Sequence, residues 1–310
     1  MESICRTAWE RRAAAHARRV DALVEPHLER RRDGRTHPVH DFLFTYYSQR
    51  PAQLRRWHPG YGVRLLDAPS YAGLKGYDDG AVTSAYVGSQ RPLLVALSRL
   101  LRATAARPAN LGCFGMHEWA MVYRLFEDET RHAGWPLRLG PAGTDAVVES
   151  HRIACSHFDA YRFFTPAAAP LNTLSPAAHD RPDFEQPACL HAGMDLYKHA
   201  FRLTPMIGSD LVADCFELAW DIRVLDMRAA PYDLASLGLE PVRVETAAGK
   251  AAYAEAQRGF AERGAPLRAR LVEECDRLLA VAAATSPERD PCEEPPRSQA
   301  GIGTLDNPIA

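Results

Sequence analysis

A chain of 310 residues, 46% hydrophobic and 25% charged, can bury a sizeable core and has the composition of an ordinary globular protein. Its net charge of −2 excludes a global basic field, so contact with nucleic acid has to rest on a local patch. Seven scattered cysteines without a C-x-x-C pair, no signal-peptide core and no apolar run near the roughly 18–20 residues that span a bilayer predict a cytoplasmic protein with reduced thiols and no membrane partner.

Residues 7–32 are rich in alanine and arginine and place Val20, Leu23, Val24 and Leu28 on one side, which predicts a helix that Pro26 kinks or splits. Residues 1–60 carry twelve Arg against seven Asp or Glu, and this local excess is the seat expected for a phosphate-binding face. Between Pro38 and Pro51 runs an aromatic segment, and a short helix follows to Trp57. Here Tyr46, Tyr47 and Trp57 interleave with Arg50, Arg55 and Arg56, the composition of a stacking platform for bases. Tyr46, Tyr47, Trp57 and Arg55 are therefore candidate substrate-binding residues.

Five glycines in 62–90 predict loops with one hairpin. Leucines at 93, 94, 97, 100 and 101 predict an amphipathic helix over 91–106, and a second helix runs from Gly115 to about Glu127. Residues 136–155 read as the main β structure, in the pieces LRLG and DAVVESH. SHFDAYRFFTP reads as a short aromatic helix or strand ended by Pro166, and 166–188 as a Pro- and Ala-rich crossing loop. A helical hairpin follows over 189–228, turning around Pro205 and Gly208. His191, Asp195 and His199 recur every four residues on its first helix; Asp214, Glu217 and Asp221 recur every three or four on its second. Each trio lines one stripe. Residues 229–248 form a loop with one strand, PVRVET, and 248–283 form the longest helix, which Pro266 interrupts. Five prolines and little apolar content predict a disordered tail over 285–310. The expected fold class is mainly α: a single compact helical domain over 1–284 with a few short β-strands.

Polar stripes inside an apolar hairpin are costly to bury unless their groups pair, bind a metal or do chemistry. Seven of the twelve histidines lie between 117 and 199. His151, His157, His191, Asp195 and His199 are the ligand types for iron, manganese or zinc. Positions eight apart diverge by about 80° on a helix, so one ion cannot take the whole His191–His199 stripe. For acid–base chemistry, Asp159 stands two residues from His157 and is followed by Tyr161 and Phe163. An aromatic wall beside a carboxylate suits removal of a purine base: the rings stack on the base and the carboxylate positions water or stabilises charge at the sugar. This makes Asp159, Asp195, His157 and His191 the catalytic candidates and adds Tyr161 and Phe163 to the substrate contacts. Cys113, Cys155 and Cys189 each stand near a histidine that could activate a thiolate. The chain carries no Gly-rich phosphate loop, G-x-S-x-G elbow, H-E-x-x-H or zinc-deaminase signature, which argues against those classes.

Five strings, HPVHDFLFTYYSQRPAQLRRWHPG, CFGMHEWAMVYR, ESHRIACSHFDAYRFFTP, EQPACLHAGMDLYKHAF and DCFELAWDIRVLDMRAAPYDL, resemble an actinobacterial family commonly labelled 3-methyladenine DNA glycosylase. The resemblance covers about residues 8–280. It implies a DNA repair enzyme that flips out an alkylated purine and hydrolyses its N-glycosidic bond without a cofactor, holding DNA through the arginine-rich patch. The chain departs from better understood alkyladenine glycosylases in lacking both their helix-hairpin-helix loop and a HEAT-type repeat, so no site residue transfers from them. On this reading Asp195→Asn abolishes turnover and changes stability by no more than about 1–2 kcal/mol. The rival class is a metal-dependent enzyme acting on a small molecule through the His/Asp set above; a non-catalytic helical binding protein with a polar core is the third.

Overall fold

The computed structural model describes residues 1–47, 49–126, 129–130 and 134–285. Its centre is the predicted hairpin. With α1 to α9 numbered below, its two arms are α10 (Leu190–Arg202) and α11 (Ser209–Ala229). Ten of the thirteen α10 residues are buried, His191, Asp195 and His199 among them, so the helix is enclosed on nearly every side. The long α12 (Ala247–Thr285) packs against both arms. It also covers α4 (Ser84–Ser89) and α5 (Arg91–Ala106). Met194, Leu196, Tyr197, Phe216, Leu218, Leu271 and Leu278 form the shared core.

The amino-terminal α1 (Arg6–Arg32) lies along α11 and α3 (Pro51–Arg55). It continues through Pro26, and α12 continues through Pro266. Each proline frees one carbonyl four residues earlier, at Ala22 and Glu262. Both residues are exposed, so water can satisfy those carbonyls and neither helix has to split.

A four-stranded sheet sits at one side, in the order β1 (Glu2–Ile4), β2 (Val63–Leu65), β4 (Ala81–Val82), β3 (Tyr77–Asp78). β1 pairs parallel with β2, Ser3 opposite Arg64, and the other pairings are antiparallel. The expected hairpin is β3–β4; Asp79 and Gly80 carry it over at positive φ (43° and 70°), as a two-residue turn between twisted strands requires. Ile4, Trp9, Trp57, Leu65 and Tyr71 form a small separate core at the sheet.

The expected β structure over 136–155 is absent. DAVVESH lies largely within the helix α7 (Gly140–Glu149), started by Pro141, and LRLG contributes only a bridge from Leu137 to Tyr232. PVRVET is a loop: the Val242 N–H donates to the Arg228 carbonyl, and Val244 plugs the core. A short run of β-branched residues fits a buried helix face or an anchored loop as well as a strand. The helix expected from Gly115 is the single turn α6 (Met116–Ala120), and Glu127 lies outside the described residues. The remaining short helices are α2 (Phe42–Thr45), α8 (Phe158–Tyr161) and α9 (Arg181–Phe184). The disordered tail expected over 285–310 lies outside the described residues, apart from Thr285 at the end of α12. No helix among the described residues is long and apolar enough to cross a membrane.

Candidate functional site

Two buried polar networks meet at α10. The first is built on Asp195. Its carboxylate accepts from the Tyr47 hydroxyl at 3.1 Å, from Arg181 Nη2 at 2.6 Å and from Lys198 Nζ at 3.3 Å. His157 Nε2 stands 3.5 Å from it and 3.4 Å from Glu185. Arg181 also pairs with Glu185, and Lys198 pairs with Asp159 at 3.0 Å. With Arg162, which stands 3.3 Å from Asp159, three cations meet the three carboxylates Asp159, Glu185 and Asp195. Burial alone would raise the Asp195 carboxyl; the hydrogen bond and charge of His157, with Lys198, overcome it and hold the group well below the usual range.

The second network joins α6 to the last turns of α11. Phe114 and Gly115 both take positive φ, so the chain turns sharply and all five α6 residues point inward. Arg223 Nη1 donates to Glu118 at 3.0 Å and to Asp226 at 2.5 Å, and its guanidinium lies 4.0 Å over the Phe42 ring. His117 Nε2 is 3.1 Å from Asp226. Burial opposes the charge of His117, but Asp226 outweighs it and pushes the imidazole up to about 10. His191 links the networks, its ring centroid 4.5 Å from His117 and 5.3 Å from His157. Burial and the charge on His117 push His191 well below the ordinary imidazole range, so it is neutral.

Above the junction opens a narrow crevice with room for about 10 Å³, the space of roughly one water. Phe42, Tyr46, Met121 and Phe163 form its apolar walls; Glu118, Asp159, His191 and Arg223 form its polar floor. Tyr46 stacks on Phe42 at 4.8 Å, and burial together with the Asp159 and Asp195 charges raises its phenol. Arg162 stands at the edge, 43% exposed, 4.3 Å over the Phe163 ring and 3.3 Å from Asp159. An adjoining surface groove shares Phe42 and holds Arg31, Arg35, His37 and Trp135.

The structure sorts the expected site residues. Asp159, His191, Tyr46 and Phe163 line the crevice. Asp195 and His157, 1% and 0% exposed, lie behind it and do not line it, so they can act only through Lys198, Arg181 and His191. Tyr47 reaches Asp195 rather than the crevice, and Tyr161 packs edge-on against Phe164. Trp57 belongs to the core beside the sheet, and Arg55 pairs with Asp21 of α1 at 2.6 Å. Neither joins the aromatic platform.

The expected metal set does not assemble. His151 Nδ1 is spent on the Val147 carbonyl at the end of α7, 2.6 Å away. A guanidinium stands where an ion would have to sit: Arg181 Nη2 is 3.3 Å from His157 and 2.6 Å from Asp195. His199 is buried nearby, its Nδ1 without a partner among the described residues. The stripe Asp214–Glu217–Asp221 is a surface belt, pairing with Arg19, Arg270 and Arg263. Cys155 and Cys189 are buried thiols pushed far up by desolvation, which opposes a nucleophilic thiolate. Arg181, Glu185, Arg223 and Asp226 escaped the sequence reading. The signals were Arg-x-x-x-Glu at 181–185 and Arg-x-x-Asp at 223–226, helical pair spacings set among apolar residues.

Acid sensitivity follows from this burial. Desolvation lowers His199 to about 3, whereas an unfolded imidazole titrates near 6.5. The unfolded chain therefore binds the proton first. Stability from this group is whole above pH 6.5 and falls as pH drops from there towards 3. Asp195, depressed in the fold, adds a loss that begins near the unfolded carboxyl value of about 3.9 and deepens with further acid. The thermal midpoint is expected to decline from about pH 6.5 downward and more steeply below about pH 4. A midpoint flat between those values would contradict the buried, neutral state of His199.

No family model matches this chain, and neither a curated protein nor a solved structure matches it.

Proposed function

We propose that the protein hydrolyses the N-glycosidic bond of alkylated purines in DNA, with the crevice as the seat of the flipped base. The observation that carries this reading is the placement of the Asp159 carboxylate between the Phe42–Tyr46 stack and Phe163. Alkylation at a ring nitrogen makes a purine cationic and a better leaving group. Aromatic faces attract such a ring by stacking and cation–π forces. As it stands the crevice has room for about 10 Å³, roughly one water, so a flipped base enters only when the Phe42, Tyr46 and Phe163 side chains move apart.

The chemistry assigned to the side chains follows from their positions. Asp159 stabilises positive charge developing at the anomeric carbon and orients the attacking water. Lys198 and Arg162 fix its carboxylate. Burial disfavours charge on Lys198, but Asp195 and Asp159 raise it and keep it protonated. A protonated amine is no nucleophile, so the reaction is simple hydrolysis without strand cleavage. Arg162 and the groove arginines Arg31 and Arg35 are placed to take phosphates beside the extruded nucleotide.

The test uses a duplex bearing one alkylated purine. Wild-type protein should create an abasic site at that nucleotide, which breaks only after treatment with alkali and heat. Abasic sites formed no faster than by spontaneous depurination would reject the reading.

A further inference from the structure

We propose that His117, Glu118 and Asp226 are the protein ligands of a divalent cation of the zinc, manganese or iron(II) class, seated under the floor of the crevice. Their ligand atoms lie within 4.8 Å of one another, and all three residues are buried. His117 Nε2 and Asp226 Oδ1 face each other at 3.1 Å, yet neither has a hydrogen-bond partner among the described residues. Buried polar atoms without partners are uncommon in folded proteins. Two donors on one ion, each about 2.0–2.2 Å from it and separated by a right to tetrahedral angle, stand roughly 3.0–3.4 Å apart. An ion on the axis of the imidazole nitrogen leaves the neighbouring oxygen off that axis. That accounts for a close contact without hydrogen-bond geometry.

Glu118 Oε1 is the third donor, 4.0 Å from Nε2. A swing of about 1 Å brings it into the same shell. Arg223 already binds Glu118 and the other oxygen of Asp226, so it is placed to orient both carboxylates from outside the shell, as partners of metal ligands do. One imidazole and two carboxylates suit borderline and hard divalent ions rather than soft ones. Three protein donors leave positions open on the side of Glu118 and His191, which line the crevice. Glu118 and Asp226 balance Arg223 and the protonated His117, so an entering ion has to displace the Nε2 proton, which leaves the ligand set and Arg223 with one net negative charge.

This site does not depend on the glycosylase reading, and its readout is metal uptake rather than turnover. Full-length protein is stripped with chelator and titrated calorimetrically with zinc and with manganese(II). One ion per chain is expected for at least one of them, with a rise in thermal midpoint. Glu118→Gln and His117→Gln should weaken uptake at least tenfold, whereas His151→Ala, remote from the cluster, should leave it unchanged. If His117→Gln fails to fold, Glu118→Gln at the crevice edge carries the comparison. Wild-type protein that binds neither ion at about 100 μM, or uptake unchanged in the folded variants, would overturn the proposal.

Discussion

Asp195→Asn should lower the unfolding free energy by about 3 kcal/mol or more, at the lower edge of the ~3–5 kcal/mol typical for breaking a buried ion pair. The carboxylate is 1% exposed and holds Arg181 and Lys198 within 2.6 and 3.3 Å. An amide keeps the shape but removes the charge that pays for burying those two cations. The loss stays at the lower edge because Arg181 retains Glu185 and Lys198 retains Asp159. Tyr47→Phe, which removes one hydroxyl donor from the same carboxylate, should cost only about 1 kcal/mol. Urea unfolding of the two variants checks both values. This reverses the expectation drawn from sequence, which gave Asp195 a catalytic role and a loss of no more than about 1–2 kcal/mol. On the proposed reading the residue acts as a positioning group, because it faces Arg181 and Lys198 and not the crevice. An Asp195→Asn protein as stable as the wild type would contradict the network.

Asp159→Asn should do the opposite, sparing the fold and removing the reaction. Its side chain is 15% exposed at the edge of the network, and Lys198 keeps Asp195 when it is neutralised. Base release should fall roughly 10²–10⁴-fold, the usual scale for losing one group that works in a transition state. The fall should appear in kcat more than in KM, because the stacking walls that bind the ground state are untouched. Glu118→Gln leaves the Asp159 carboxylate in place and should retain more activity than Asp159→Asn. Single-turnover rates with a duplex containing one alkylated purine separate the two. An Asp159→Asn rate within threefold of wild type would remove Asp159 from the reaction, three being about 0.65 kcal/mol in barrier.

The helical core was legible because its signals are long. The leucine period over α5 and the hairpin turning near Gly208 each extend over several turns. Tertiary packing defeated the short signals. Val147, Val148, Val242 and Val244 look like strand residues, and only the surroundings turned them into a helix face and an anchored loop. At the site, Asp159, Tyr46, Phe163 and His191 could be chosen from residue type and neighbours. Their actual partners could not, because Arg181, Arg223 and Asp226 come from distant segments and spacing along one helix does not reveal what packs across from it. The stripe of Asp214, Glu217 and Asp221 misled for the same reason: the same spacing serves a surface belt opposite arginines of α1 and α12.

The central claim is that Asp159 between aromatic walls cleaves the bond between an alkylated purine and its sugar. Chromatography of the small molecules liberated from methylated DNA addresses it most directly. Wild-type protein should release free methylated purine base well above the spontaneous rate, and Asp159→Asn should release almost none. No free base above the spontaneous rate, or equal release by both proteins, would contradict the claim.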